Sequence, residues 1–84
     1  MRTENNANVG FILITTEPDE DAKIYRKLKK IEGVLETHPL FGEYDILVKI
    51  KAKTFNDIGR IVIEKIRPIK GVLDTKTLSA IKFP

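Results

Sequence analysis

The 84-residue sequence contains no cysteine and no tryptophan. Without cysteine, neither disulfides nor zinc–cysteine clusters can stabilise the chain. A single domain of this size buries only about 60% of the surface that its unfolded chain exposes. Association with further copies of the chain is the simplest remaining source of stability, and the lack of cysteine fits a reducing compartment.

Residue types that carry nucleophilic or metal chemistry are scarce. His38 is the single histidine and Ser79 the single serine. A general base needs a positioned partner, and a lone histidine beside a strand proline is more commonly a surface or interface residue. A metal site would have to combine His38 with carboxylates, and the sequence has no phosphate-binding glycine pattern. We therefore predict a protein that is not an enzyme and has neither a cofactor nor a metal.

Long apolar runs and a dense charge of one sign are also missing. The longest apolar run, residues 9–14, is far shorter than the roughly 20 residues that span a bilayer, and the polar start has no signal-peptide core. The net charge of +3, from 15 basic and 12 acidic residues, is well mixed and lacks the basic stripe of a nucleic-acid binder. We expect a cytoplasmic protein without direct nucleic-acid or membrane binding. Its many Ile and Lys residues are typical of thermophiles.

One segment of the chain occurs twice. Residues 31–40 read IEGVLETHPL, and residues 69–78 read IKGVLDTKTL. Each copy follows a helix-like stretch and has the composition of an extended segment. The natural unit is therefore a strand, a helix and a strand, used twice.

The first half of the chain predicts a tail, a strand, a helix and a second strand. Residues 1–7 are polar and predict a disordered tail, so that the domain covers residues 8–84. The first strand, residues 9–16, is apolar on both faces. The first helix should run to about Ile31 before Gly33. The second strand, up to Leu40, should lie at a sheet edge or stop at Pro39, which cannot donate a ladder hydrogen bond.

The second half repeats the order. A third strand, residues 44–51, places Tyr44, Ile46, Val48 and Ile50 on one face. Thr54 is a candidate N-cap, with Asp57 three residues later. The second helix should end at Pro68 and precede a fourth strand, residues 72–81. The predicted apolar side of the second helix consists of Phe55, Ile58, Ile61, Val62 and Ile66.

The order βαββαβ predicts a ferredoxin-like α+β fold, a four-stranded antiparallel sheet with both helices on one face. Helices on one face cannot cover the apolar residues that the first strand presents on the other, and a large exposed apolar patch would result. We therefore predict a homodimer with sheets packed face to face, a dimeric α/β barrel.

Two short stretches stand out as candidate binding elements. They are Gly42, Tyr44 and Asp45 before the third strand, and Thr75 and Thr77 in the fourth. A carboxylate can accept from an ammonium group, while hydroxyl and backbone N–H groups donate to a carboxylate, so the set could bind a small zwitterion. An ordinary glycine turn followed by β-forming threonines is the simpler explanation on spacing alone.

From residue 8 to residue 82 the sequence resembles the effector-binding (RAM) domain of the Lrp/AsnC, or feast/famine, transcriptional regulators. The matching features are a helix ending before Gly-Val, the Gly-x-Tyr-Asp turn and the closing Pro-x-x-Gly-Val-x-x-Thr-x-Thr pattern. The resemblance implies sheet-to-sheet dimers, octameric or decameric rings of dimers, and an amino-acid effector bound between dimers. It assigns ligand contacts to Gly42, Tyr44, Asp45, Thr75 and Thr77, with Asp45 on the ammonium group.

The sequence departs from the family pattern in two places. No helix-turn-helix domain is evident, so we expect a stand-alone module that senses an amino acid or modulates full-length DNA-binding relatives by mixed assembly. Phe41, before the turn glycine, is bulkier than expected. Two other functions stay open: a small dimeric α/β-barrel isomerase or cofactor-free oxygenase, with His38 or Tyr25 in an enclosed pocket, and a purely structural assembly partner.

Overall fold

A computed structural model describes residues 7–81, and it has the predicted βαββαβ order. The antiparallel sheet has the strand order β2-β3-β1-β4, which confirms the ferredoxin-like fold. The tail predicted for residues 1–7 lies, except for Ala7, outside the described residues. The elements are β1 (Asn8–Thr16), α1 (Asp21–Leu28), β2 (Val34–Pro39), β3 (Ile46–Ala52), α2 (Phe55–Ile61, continued by a π-helical segment, Val62–Ile66) and β4 (Val72–Ser79).

The hydrophobic core lies between the helices and one face of the sheet. Alternate residues of β1 and β3 point to this face, because successive side chains of a strand point to opposite sides. The predicted alternation of β3 is confirmed from Ile46 onward, while Tyr44 and Asp45 belong to the preceding loop. The fully buried or nearly fully buried core residues are Ile12, Ile14, Ile24, Leu28, Ile46, Val48, Ile50, Ile58, Val62 and Ile66.

The opposite face of the sheet, here called the open face, has no helix over it. The register of the strands places the other alternating set there, and Phe11 pairs with Leu78 across β1 and β4. The apolar side chains are half-buried or exposed. The apolar residues of the open face are Val9, Phe11, Leu13, Leu47 and Leu78.

Charged residues flank this apolar patch on the two outer strands. Near β2, the Glu36 carboxylate lies 3.0 Å from His38 Nε2 and 3.4 Å from Lys49 Nζ. Hydrogen bonds from His38 and Lys49 lower the pKa of Glu36 below its usual value. Asp74 and Lys76 occupy the open face on β4. Both edges therefore combine acidic and basic groups.

The internal repeat forms the two edge strands and the turns that precede them. Gly33 and Gly71 have the same φ of +98°, which L side chains rarely adopt. In both turns the N–H of the following valine donates to the isoleucine two residues before the glycine, from Val34 to Ile31 and from Val72 to Ile69. The predicted edge position of the strand that ends at Pro39 is confirmed.

Both helices differ from the prediction in detail. The helix α1 ends at Leu28 rather than near Ile31, because the chain enters the turn in which the Ile31 N–H donates to the Leu28 carbonyl. Thr54 is the N-cap of α2 and accepts from the Asp57 N–H at 3.0 Å, as predicted. The placement of Phe55 on the buried side was wrong: its side chain is 45% exposed.

Two features are absent from the described part of the chain. None of its helices is both long enough and apolar enough to cross a membrane. Within residues 7–81, no group of three or more His, Cys, Asp or Glu side chains is arranged to hold a metal ion.

Replacing Gly71 tests the role of the repeated turn. A Cβ at this position would lie 3.1 Å from Glu20 Cβ and 3.1 Å from Ile24 Cδ1, at a positive φ. We expect Gly71→Ala to lower the free energy of unfolding by about 1–3 kcal/mol. Urea denaturation at one fixed protein concentration measures the change.

Gly59→Ala is the matched control. A Cβ at Gly59 meets nothing within 4 Å, and alanine favours a helix interior over glycine by about 0.5–1 kcal/mol, so this variant should gain stability. Equal stability of Gly71→Ala and the parent chain would contradict the strained-turn account.

Candidate functional site

The loop between β2 and β3 carries three of the five predicted site residues. Its ends are tied together by the Leu40 N–H, which donates to the Asp45 carbonyl at 2.8 Å. Gly42 has a φ of +144°, and a Cβ there would meet nothing within 4 Å. Glycine is therefore needed for the backbone conformation and not for space. The loop projects from the end of the sheet at which β1 finishes.

Asp45 connects this loop to β1, one of the two inner strands of the sheet. Its N–H donates to the Ile14 carbonyl at 2.9 Å, and its Oδ2 accepts from the Thr16 N–H at 2.8 Å. The Thr16 side chain is one of the buried polar groups of the described chain, at 8% exposure. Because a carboxylate has about four lone-pair positions, Asp45 can accept a further hydrogen bond from an ammonium group. This bond to Thr16 was not predicted, since sequence spacing gives no signal for a contact across 29 residues.

The aromatic residues of the loop are unequally placed. Tyr44, which precedes Asp45 in the chain, is half-buried. Phe41 is fully exposed, and the carboxylate-bearing Glu43 is also in an exposed position. The loop that carries Asp45 therefore also exposes an apolar ring to the surroundings.

Thr75 and Thr77 lie on the edge strand β4, which β1 separates from β3 and from the loop that carries Asp45. Thr75 pairs with Ile14 and Thr77 with Ile12, so both threonines point to the helix-covered face, as expected for residues two apart. Strands are spaced about 4.8 Å apart, which puts β4 about 10 Å from β3 across β1. The predicted site residues thus fall into two groups, here called the half-sites: the loop with Asp45, and the edge strand β4 with Thr75 and Thr77.

A groove of about 690 Å³ lies at the opposite end of the sheet and includes none of the five predicted residues. Its floor is apolar, with Ile31, Leu35 and Ile61, and lysines surround it. The groove and the predicted site residues therefore lie at different ends of the sheet.

Comparison with known proteins gives the family. Residues 9–84 match the family model described as the Lrp/AsnC ligand binding domain. The chain belongs to this family. An uncharacterized HTH-type transcriptional regulator of Pyrococcus furiosus is 42% identical over 77 residues, which cover 88% of this chain and 51% of that protein. The chain thus spans about half the length of this regulator.

This chain also matches part of an enzyme and several solved structures. Homocitrate synthase of Sulfurisphaera tokodaii is 46% identical over 59 residues, 70% of this chain and 13% of the enzyme. The crystal structure of FFRP-DM1 has a TM-score of 0.83 and 32% identity, covering 88% of this chain and 99% of that chain. A Neisseria meningitidis transcriptional regulator, solved as an L-Met complex, has a TM-score of 0.81 at 23% identity and shares the fold; the match covers 98% of this chain and 56% of that one.

Substitutions at Asp45 separate its hydrogen bond from its charge. Asp45→Ala leaves the Thr16 N–H without its acceptor and should lower the free energy of unfolding by about 1–2 kcal/mol. Asp45→Asn keeps an oxygen acceptor and should cost less. Glu43→Ala, at an exposed position in the same loop, should change stability by no more than about 0.5 kcal/mol. Chemical denaturation of the three variants checks the order, and equal stability of Asp45→Ala and Glu43→Ala would refute it.

Proposed function

We propose that this Lrp/AsnC ligand-binding domain is a cytoplasmic module that senses an amino acid and assembles with copies of itself. In this proposal two chains form a dimer, dimers form rings, and the effector binds where dimers meet. The observation that carries the proposal is the Asp45 loop: a carboxylate anchored at the end of the sheet, with capacity for a further donor and an exposed aromatic ring in the same loop.

The open face supports the dimer. Its five apolar residues form a continuous patch across three strands, and such a patch is uncommon on a monomer. A second copy presents the same patch, so that a twofold axis makes the contact self-complementary. The mixed charges at both edges, Glu36 with Lys49 and Asp74 with Lys76, provide a polar rim for that contact.

The separation of the half-sites supports binding between subunits. Within one chain, β1 lies between Asp45 and Thr75, and a free amino acid is too small to reach both groups across a strand. A neighbouring dimer can bring its own edge strand toward the loop. Asp45 would accept from the ammonium group, and threonine hydroxyls would donate to the carboxylate. The L-Met complex of the Neisseria meningitidis regulator is consistent with an amino-acid ligand on this fold.

A ligand bound between dimers would control assembly by mass action. An effector that binds the ring and not the free dimer stabilises the ring in proportion to its occupancy. Mixed assembly with longer relatives follows the same rule, because a chain that resembles half of an HTH-type regulator can share its dimer contact. We propose this as the route by which the module acts on DNA-binding partners.

The geometry favours this function over the small enzyme. His38 lies exposed on β2 at the open face, 3.0 Å from Glu36. Tyr25 lies on α1, in the helix layer, with Lys29 Nζ 5.2 Å from its ring centroid. The enzyme would need one of these side chains inside an enclosed pocket, but His38 is exposed and neither residue lines the groove at the far end of the sheet. A purely structural partner remains the alternative that predicts assembly without any ligand.

A charge in the middle of the open face tests the dimer. Leu13 is half-buried at the centre of the patch, and Leu13→Lys should convert dimers to monomers because an unpaired ammonium would be buried in the contact. Ile63→Lys is the control, since Ile63 is 61% exposed on α2 and away from the open face. Light-scattering chromatography gives the masses. A Leu13→Lys variant that stays dimeric would contradict sheet-to-sheet packing.

The effector is tested by the same measurement with and without a mixture of the twenty amino acids. We expect a ligand-dependent shift from dimer toward ring, lost in Asp45→Asn, which keeps the hydrogen bond to Thr16 but lacks the charge for the ammonium group. Thr75→Val should weaken the shift. A mass indifferent to every amino acid would reject sensing and favour the structural partner.

A further inference from the structure

The end of the sheet that carries the Asp45 loop is acidic, although the whole chain is basic. Three segments meet there: residues 17–21, which include the first residue of α1, and the connections 40–45 and 67–71. Together they contain six carboxylates and two cations, a net charge of −4, whereas the chain has a net charge of +3. The charged residues are Glu17, Asp19, Glu20, Asp21, Glu43, Asp45, Arg67 and Lys70.

Hydrogen bonds join these three segments at the end of β1. The Thr16 N–H donates to Asp45 Oδ2 at 2.8 Å, and the Glu17 N–H donates to the Gly71 carbonyl at 2.8 Å. The carboxylates are therefore grouped by the fold and not merely by composition. A surface with one sign of charge raises the local concentration of ligands of the opposite sign.

Helix electrostatics explain part of this grouping. Glu20 and Asp21 lie at the N-terminus of α1, where negative charge complements the helix dipole. The Nζ of Lys23 lies 3.9 Å from Oε1 of Glu20. The dipole does not account for Glu43 and Asp45, which belong to the loop between β2 and β3. That loop contains no basic side chain.

The same loop also presents aromatic surface. Phe41 is fully exposed and Tyr44 is half-buried. An ammonium or guanidinium group is attracted to the face of an aromatic ring, and its methylene groups cover apolar surface at the same time. Two carboxylates and two rings, with no cation among them, suit a ligand that carries more positive than negative charge.

We infer that the effector is an amino acid with a positively charged side chain, of the lysine type. This inference rests on the proposed effector function of the same site. The α-ammonium group binds Asp45, and the side-chain cation lies against Phe41 with Glu43 as its counter-ion. A neutral amino acid leaves Glu43 without a partner, and an acidic one is repelled by the surrounding carboxylates.

Isothermal titration with L-lysine and L-norleucine tests the inference, because norleucine keeps the aliphatic side chain and lacks the ε-ammonium group. Exposed ion pairs and cation–π contacts are individually weak, so together they should make lysine about tenfold tighter. The ratio should fall as salt is raised from low to high ionic strength.

Glu43→Gln and Phe41→Leu should each reduce lysine affinity several-fold and leave norleucine affinity nearly unchanged. Glu32→Gln is the matched control, an exposed carboxylate at the opposite end of the sheet, and should leave both affinities unchanged.

The outcomes separate the inference from the function on which it rests. If norleucine or another neutral amino acid binds as tightly as lysine, the preference for a cationic side chain is wrong while amino-acid sensing stands. If no amino acid binds, the proposed function fails as well.

Discussion

The central strand β1 is apolar on both faces, and the helices can cover only one of them. Ile12 and Ile14 point into the core, and Phe11 and Leu13 point to the open face. The crossover connections place α1 and α2 on the same side of the sheet, because both βαβ units have the same hand. The buried core, the uncovered patch and the proposed dimer all follow from this constraint.

The same strand also organises the candidate site. It ends where Asp45 accepts from the Thr16 N–H, and it separates the Asp45 loop from Thr75 on β4. Two hydrogen bonds between Asp45 and β1, from the Asp45 N–H to the Ile14 carbonyl and from the Thr16 N–H to the Asp45 carboxylate, therefore fix the position of the loop relative to the sheet. Because the half-sites lie on either side of β1, the proposed ligand site would require a neighbouring subunit, and ligand binding would then be coupled to assembly.

The sign of the surface charge differs between the two ends of the strands. Carboxylates gather at the end where β1 finishes, and lysines such as Lys30 and Lys51 lie around the groove at the other end. The dipole of α1 favours this polarity, with Asp21 in its first turn and Arg26 and Lys27 in its last turn. The loop between β2 and β3 adds carboxylates that the helices do not need, and the proposed ligand class rests on these.

Much of the fold could be predicted because its signals are local. The repeated segment, the alternation of Ile46, Val48 and Ile50 and the edge position of Pro39 depend on periodicity and on a missing N–H, which the sequence displays directly. The Thr54 cap is equally local. The residues of the candidate loop could be named from a resemblance in sequence, without knowledge of their contacts.

Tertiary structure decided what depends on distant partners. The Asp45 bond to Thr16, the full exposure of Phe41, the exposure of Phe55 and the position of Thr75 across β1 all depend on how separate segments meet. So does the acidic end, because its carboxylates are dispersed along the chain and gather only when three segments converge. The sequence by itself determined the elements and their apolar faces, since these follow from short-range periodicity. The site's geometry and electrostatics were decided by strand order and register, which bring together residues that periodicity cannot relate.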